Sequence, residues 1–129
     1  MRAYIGVTAS EIQEFLQSGE FDVSDAYAAT ATFISSNSDL DEEEVEYTLS
    51  LIAAEDAVEL LGSAVGTACV LALEVPESII EAEHELSISL SAPLLWDYVQ
   101  CCFEVSADGQ ELTWFATQEI ASNLATWLS

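Results

Sequence analysis

The chain has no lysine, one arginine (Arg2) and one histidine (His84) in 129 residues, against 24 aspartates and glutamates. That scarcity of cations removes whole classes of chemistry. Schiff-base and phosphate-clamping lysines are absent, and one histidine with one arginine leaves few general bases or transition-state clamps. Nucleotides and nucleic acid would be repelled, so direct nucleic-acid binding is not expected. No GxSxG, P-loop or GxGxxG pattern is present. The sequence predicts no enzyme, no catalytic residue and no cofactor.

Other absences narrow the class further. Three cysteines (Cys69, Cys101, Cys102) are an odd number, two of them adjacent, which argues against a disulfide framework and fits no zinc spacing. Apolar runs are too short for a membrane span, and MRAYIGVTAS has no long apolar segment of the signal-peptide kind. A reduced, cytoplasmic protein away from membranes is the expectation. DLDEEEVE has no glycine for a calcium loop, and His84 has no second histidine to join it. No metal site is expected.

What is present is a core. Hydrophobic residues make up 51% and mean hydropathy is +0.31, unlike acidic disordered tails. The length suits one domain, residues 1–129. Net charge is −23. Over the roughly 6,700 Å² expected of a 13.9 kDa globule, that is about a third of the charge density of a DNA surface. Position therefore matters more than total.

Periodicity gives the outline. RAYIGVT alternates as a strand, and Thr8 with Glu11 forms a capping box for a helix bearing Ile12, Phe15 and Leu16, closed by Gly19. AYAATATFI (26–34) reads as a second strand. From Asp39 to Leu61 nothing interrupts a long helix until Gly62, with Ser38 or Asp39 as its cap. Val45, Leu49 and Ile52 mark one apolar side; Tyr47, Leu51 and Val58 mark another. TACVLALEV (67–75) is a buried strand ended by Pro76. PESIIEAEH is a turn or short helix, while ELSISL (85–90) and YVQCCFEVS (98–106) are strands. ELTWFA is open to strand or helix; a helix over 117–128, lined by Ile120, Leu124 and Trp127, is favoured. Trp96, Trp114 and Trp127 read as core or half-buried packing residues. The sum is an α+β fold: a single compact domain with about five mostly antiparallel strands, packed by two to three helices.

Asp39–Glu46 holds six carboxylates. As a helix its charges recur about every 2 Å, near the 1.7 Å of duplex DNA. Asp39, Glu42, Glu43 and Glu46 form one stripe; Asp41, Glu44, Glu55 and Glu59 form the other. A looser group comprises Glu74, Glu77, Glu81, Glu83 and Glu85. The ordinary reading of both is solvation. With lysine absent everywhere, a basic partner is weighed beside it: Asp39, Asp41, Glu42, Glu43, Glu44, Glu46, Glu55, Glu59, Glu77 and Glu81 would meet it. A nucleic-acid-binding protein is the natural candidate, which makes the chain a DNA mimic that blocks it. A habitat of high salt is the alternative source of the charge, and a homodimer stays open.

The opening MRAYIGVTASEIQEFLQSGE, together with DEEEVEYTLSLIAAEDAVELL, VLALEVPES and APLLWDYVQCCFEV, resembles a family of small acidic uncharacterised proteins from actinobacteria. The resemblance implies a single α+β domain in the actinobacterial cytosol and no assigned activity. Those relatives keep several arginines, whereas this chain keeps only Arg2.

Overall fold

The computed structural model describes residues 1–129. Strand β1 (Arg2–Thr8) passes directly into helix α1 (Ala9–Ser18). Thr8 accepts from the Glu11 amide while the Glu11 carboxylate accepts from the Thr8 amide, and Gly19 closes the helix at φ +80°. This is the capping box read from the sequence, built as expected.

β2 (Glu20–Phe21) and β3 (Asp25–Ala28) follow, then α2 (Ala31–Ser36) and α3 (Glu42–Leu61). Of the strand expected over 26–34, only residues 26–28 are strand. Thr30 diverts the chain: its hydroxyl accepts from the Phe33 amide and donates to the Glu85 carbonyl. A cap satisfied on both sides outweighs the β-propensity of Thr32 and Phe33.

β4 (Ala68–Glu74), β5 (Ile80–Glu83), β6 (Ser87–Leu90), β7 (Leu94–Leu95), β8 (Val99–Val105), β9 (Leu112–Ala116) and α4 (Ile120–Leu128) complete the chain. PESIIEAEH begins with the short turn expected, a 3₁₀ turn over Glu77–Ile79, but then runs into strand β5. The ambiguous tail uses both readings in succession, β9 and then α4.

Seven strands form one sheet in the order β5-β6-β3-β1-β4-β8-β9, every pairing antiparallel, with β2-β7 as a separate ribbon. The sheet exceeds the expected five strands because short, polar edge strands such as IEAE carry little periodic signal. The class, α+β, stands. Both faces are covered. Ile5, Val7, Leu71, Leu73 and Cys102 join Ile12, Phe15, Leu124 and Trp127 of α1 and α4 in one core. On the other face Tyr4, Val70, Ala72 and Cys101 join Val45, Leu49, Ala53 and Ala57 of α3. Double coverage explains why β4 is apolar at every position up to Glu74, which alone in it is exposed. No helix is long and apolar enough to cross a membrane.

The passage of α3 over β1 depends on small residues. A Cβ on Gly6 would lie 2.3 Å from the Ala53 carbonyl oxygen and 2.8 Å from the Ala57 amide nitrogen. Helix backbone rests on strand backbone at this point, with Ala53, Ala54 and Ala57 fully buried. The three tryptophans divide: Trp127 is buried, Trp96 is half-buried edge-on to Phe15, and Trp114 on β9 is 59% exposed.

Candidate functional site

The acids of α3 begin with its cap. Asp41, not Ser38 or Asp39, caps the helix: its carboxylate accepts from the Glu44 amide at 2.8 Å and Glu44 returns an acceptor to the Asp41 amide at 3.1 Å. Asp39 consequently lies outside the helix, and helical charge spacing holds only from Glu42 to Glu46. Three glutamates in the first turn face the positive end of the helix dipole, which offsets part of their mutual repulsion.

The two expected stripes are not two parallel rows in the structure. Glu42, Glu43 and Glu44 are exposed at the start of α3, and Glu55 and Glu59 are exposed near its end. Glu44 and Glu55 are about 16 Å apart along the axis. Between them Tyr47, 56% exposed, and half-buried Leu51 interrupt the charge. Glu46 turns inward, half-buried, and its charge helps raise the Tyr4 phenol.

Glu77 and Glu81 belong elsewhere. Glu77 lies in the 3₁₀ turn and Glu81 on the edge strand β5, three strand spacings from β1, or about 14 Å across the sheet. Glu83 on the same strand accepts from the Ala31 amide at the start of α2. The second cluster is thus a distinct edge surface, separated from the outer face of α3.

Local duties claim several other carboxylates. Glu119 accepts from the Ala116 amide, Glu104 from the Trp127 indole and Asp108 from Ser106 and Gln110; those bonds hold Asp108 below the usual carboxylate range. None of this neutralises charge. The one ion pair of the structure joins the Met1 amino group to Glu74 at 2.7 Å. Arg2 forms no ion pair.

Sequence reasoning passed over one feature of this face. Between the C-terminal half of α3 and β3 opens a cleft of about 340 Å³, lined by Asp25, Tyr27, Asp56, Leu60 and Ser87. The Tyr27 hydroxyl donates to the Asp56 carboxylate. Burial first, and then this bond, push the Tyr27 phenol up to about 12. The cleft is acidic, has hydroxyl groups to accept or donate, and has no cationic side chain in its lining. Asp56 was hidden in the sequence because it falls between the stripes; only its pairing with a residue 29 positions earlier sets it apart.

A raised folded value for a phenol means the neutral form is stabilised by folding. That contribution is complete below pH 10 and is lost as pH climbs towards 12. Tyr27→Phe is expected to cost about 1 kcal/mol near neutrality, the net worth of one hydrogen bond, and to flatten the stability loss between pH 10 and 12. Urea unfolding at pH 8 and pH 11 measures both.

The thiols offer no obvious nucleophile. All three cysteines are buried and free. The hydrogen bond with Cys69, and burial, raise the Cys102 thiol well above its ordinary value, so it carries little thiolate.

No curated protein and no solved structure matches the chain. The family model that does match spans β1 to β8, including α3, the cleft and the β5 edge, and stops short of β9 and α4. Over residues 1–105 the chain matches the family of unknown function DUF6912, and it belongs to that family.

Proposed function

We propose that the protein is a non-enzymatic interaction module that binds a basic protein surface, of the kind that otherwise contacts nucleic acid. The observation that carries this reading is uncompensated charge: −23 over an accessible surface of 6832 Å², with one ion pair and that at the chain terminus. No carboxylate of the chain forms an ion pair with a lysine or arginine side chain.

The contact surface is the outer face of α3. Glu42, Glu43 and Glu44 form one anionic end, Glu55 and Glu59 the other, with Tyr47 between them. Two charge centres about 16 Å apart suit a partner that carries separated Lys/Arg groups, with an aromatic ring available to stack on a guanidinium. Asp39 and Asp41 extend the first end, whereas Glu77 and Glu81 on the β5 edge would serve a second contact or none. Long-range attraction steers the encounter, and screening over about 8 Å at physiological salt weakens it.

Neutralising the face tests this directly. A triple variant Glu43→Gln, Glu55→Gln, Glu59→Gln removes three exposed charges and no hydrogen bond of the fold. Basic proteins held by the immobilised chain at 50 mM salt are expected to elute from the variant at clearly lower salt, with weaker affinity by about tenfold or more. Unchanged elution from the folded variant would remove α3 from the reading.

A further inference from the structure

We propose that the cavity beneath the start of α3 is a binding site for a free aliphatic α-amino acid in its zwitterionic form. The cavity is about 350 Å³, within the range of small-molecule sites, and is lined by Arg2, Glu42 and Glu46 together with Ile34, Leu40 and Leu49. It lies between α2, α3 and β1; it shares Glu42 with the anionic start of α3 but not Glu43, Glu55 or Glu59, and it does not depend on a basic partner.

Arg2 supplies the first requirement. It is the only arginine among 24 acids, yet it forms no ion pair. Its Nε is buried without a hydrogen-bond partner, and Nη2 reaches only the Cys101 sulfur, at 3.7 Å. The guanidinium makes no charge-assisted bond within the chain, and of the groups a small ligand could bring to the cavity it borders a carboxylate is its best match. Tyr4 lies beside it, the guanidinium carbon 5.9 Å from the ring centroid, and burial holds the Tyr4 phenol up at about 12, neutral and able to donate.

A simple carboxylic acid is the wrong ligand, however. Asp41, Glu42 and Glu46 also line the cavity and would repel it. An ammonium on the same molecule answers them, as the carboxylate answers Arg2. Ile34, Leu40, Val45 and Leu49 supply an aliphatic part of the lining, which suits a branched hydrocarbon side chain. Carboxylate, ammonium and short apolar group on one small molecule describe leucine, isoleucine or valine.

The test is an NMR titration of the isotope-labelled chain with L-leucine. Saturable amide shifts are expected at Ile34, Val45 and Leu49. Isovalerate, which lacks the ammonium, and isoamylamine, which lacks the carboxylate, are each expected to bind at least tenfold more weakly. Arg2→Gln and Glu46→Gln should each weaken leucine binding by about tenfold. Absence of saturable shifts up to about 10 mM leucine would overturn the assignment, and so would isovalerate binding as well as leucine. If either variant fails to fold, the comparison of leucine with its two analogues on the unaltered chain decides the matter.

Discussion

Gly6→Ala is expected to remove about 3 kcal/mol of stability, the upper end of what overpacking usually costs, and Gly6→Val to prevent folding. The added methyl has nowhere to go. It would sit 2.3 Å from the Ala53 carbonyl oxygen and 2.8 Å from the Ala57 nitrogen. Both are helix backbone, so no rotamer change relieves the clash; α3 itself must lift from β1. Lifting it opens the core that Tyr4, Val45, Leu49 and Val70 share, and total stability of a domain this size is only about 5–15 kcal/mol. The urea midpoint of the alanine variant measures the cost. An unfolding free energy within about 0.5 kcal/mol of the parent would show that the helix is not seated so closely.

Trp127→Ala is expected to cost about 4 kcal/mol. Trp127 is 1% exposed, and its indole N–H donates to Glu104 at 2.9 Å. Its ring meets Phe115 edge-on at 5.2 Å. Truncation leaves a cavity against β8 and strips Glu104 of its partner. Phenylalanine at the same position retains most of the volume but not the donor, so Trp127→Phe separates packing from the hydrogen bond and should cost less than half as much. Thermal unfolding of the two variants makes the comparison. Equal losses would assign the whole effect to the Glu104 bond.

Where local chemistry decides structure, the sequence was legible. Thr8 and Glu11 announce α1, Gly19 ends it, and Ile120, Leu124 and Trp127 mark the buried side of α4. The buried face of α3 was only half visible. Val45 and Leu49 are on it, but its centre is Ala53, Ala54 and Ala57, and alanine gives no periodic signal against a background rich in it. Its small size is what lets β1 approach. The short strands were missed for a different reason. β5 is selected by its pairing with β6 and not by its own residues, of which Ile80 alone is more than marginally covered.

The candidate site divided in the same way. Exposure of Glu42, Glu43, Glu44, Glu55 and Glu59 followed from the helical pattern. Their separation into two ends, the inward turn of Glu46 and the distance to Glu77 and Glu81 did not, since these depend on how α3 crosses the sheet. Arg2 was conspicuous as the lone cation, but its missing partner is a fact of three dimensions.

Competition with duplex DNA tests the central claim most directly. Proteins from the source cell are bound to the immobilised chain at low salt, then challenged with excess duplex DNA and, separately, with 1 M salt. If carboxylates on α3 occupy a nucleic-acid surface, duplex DNA displaces the bound protein and so does salt. Retention through both treatments would contradict the account.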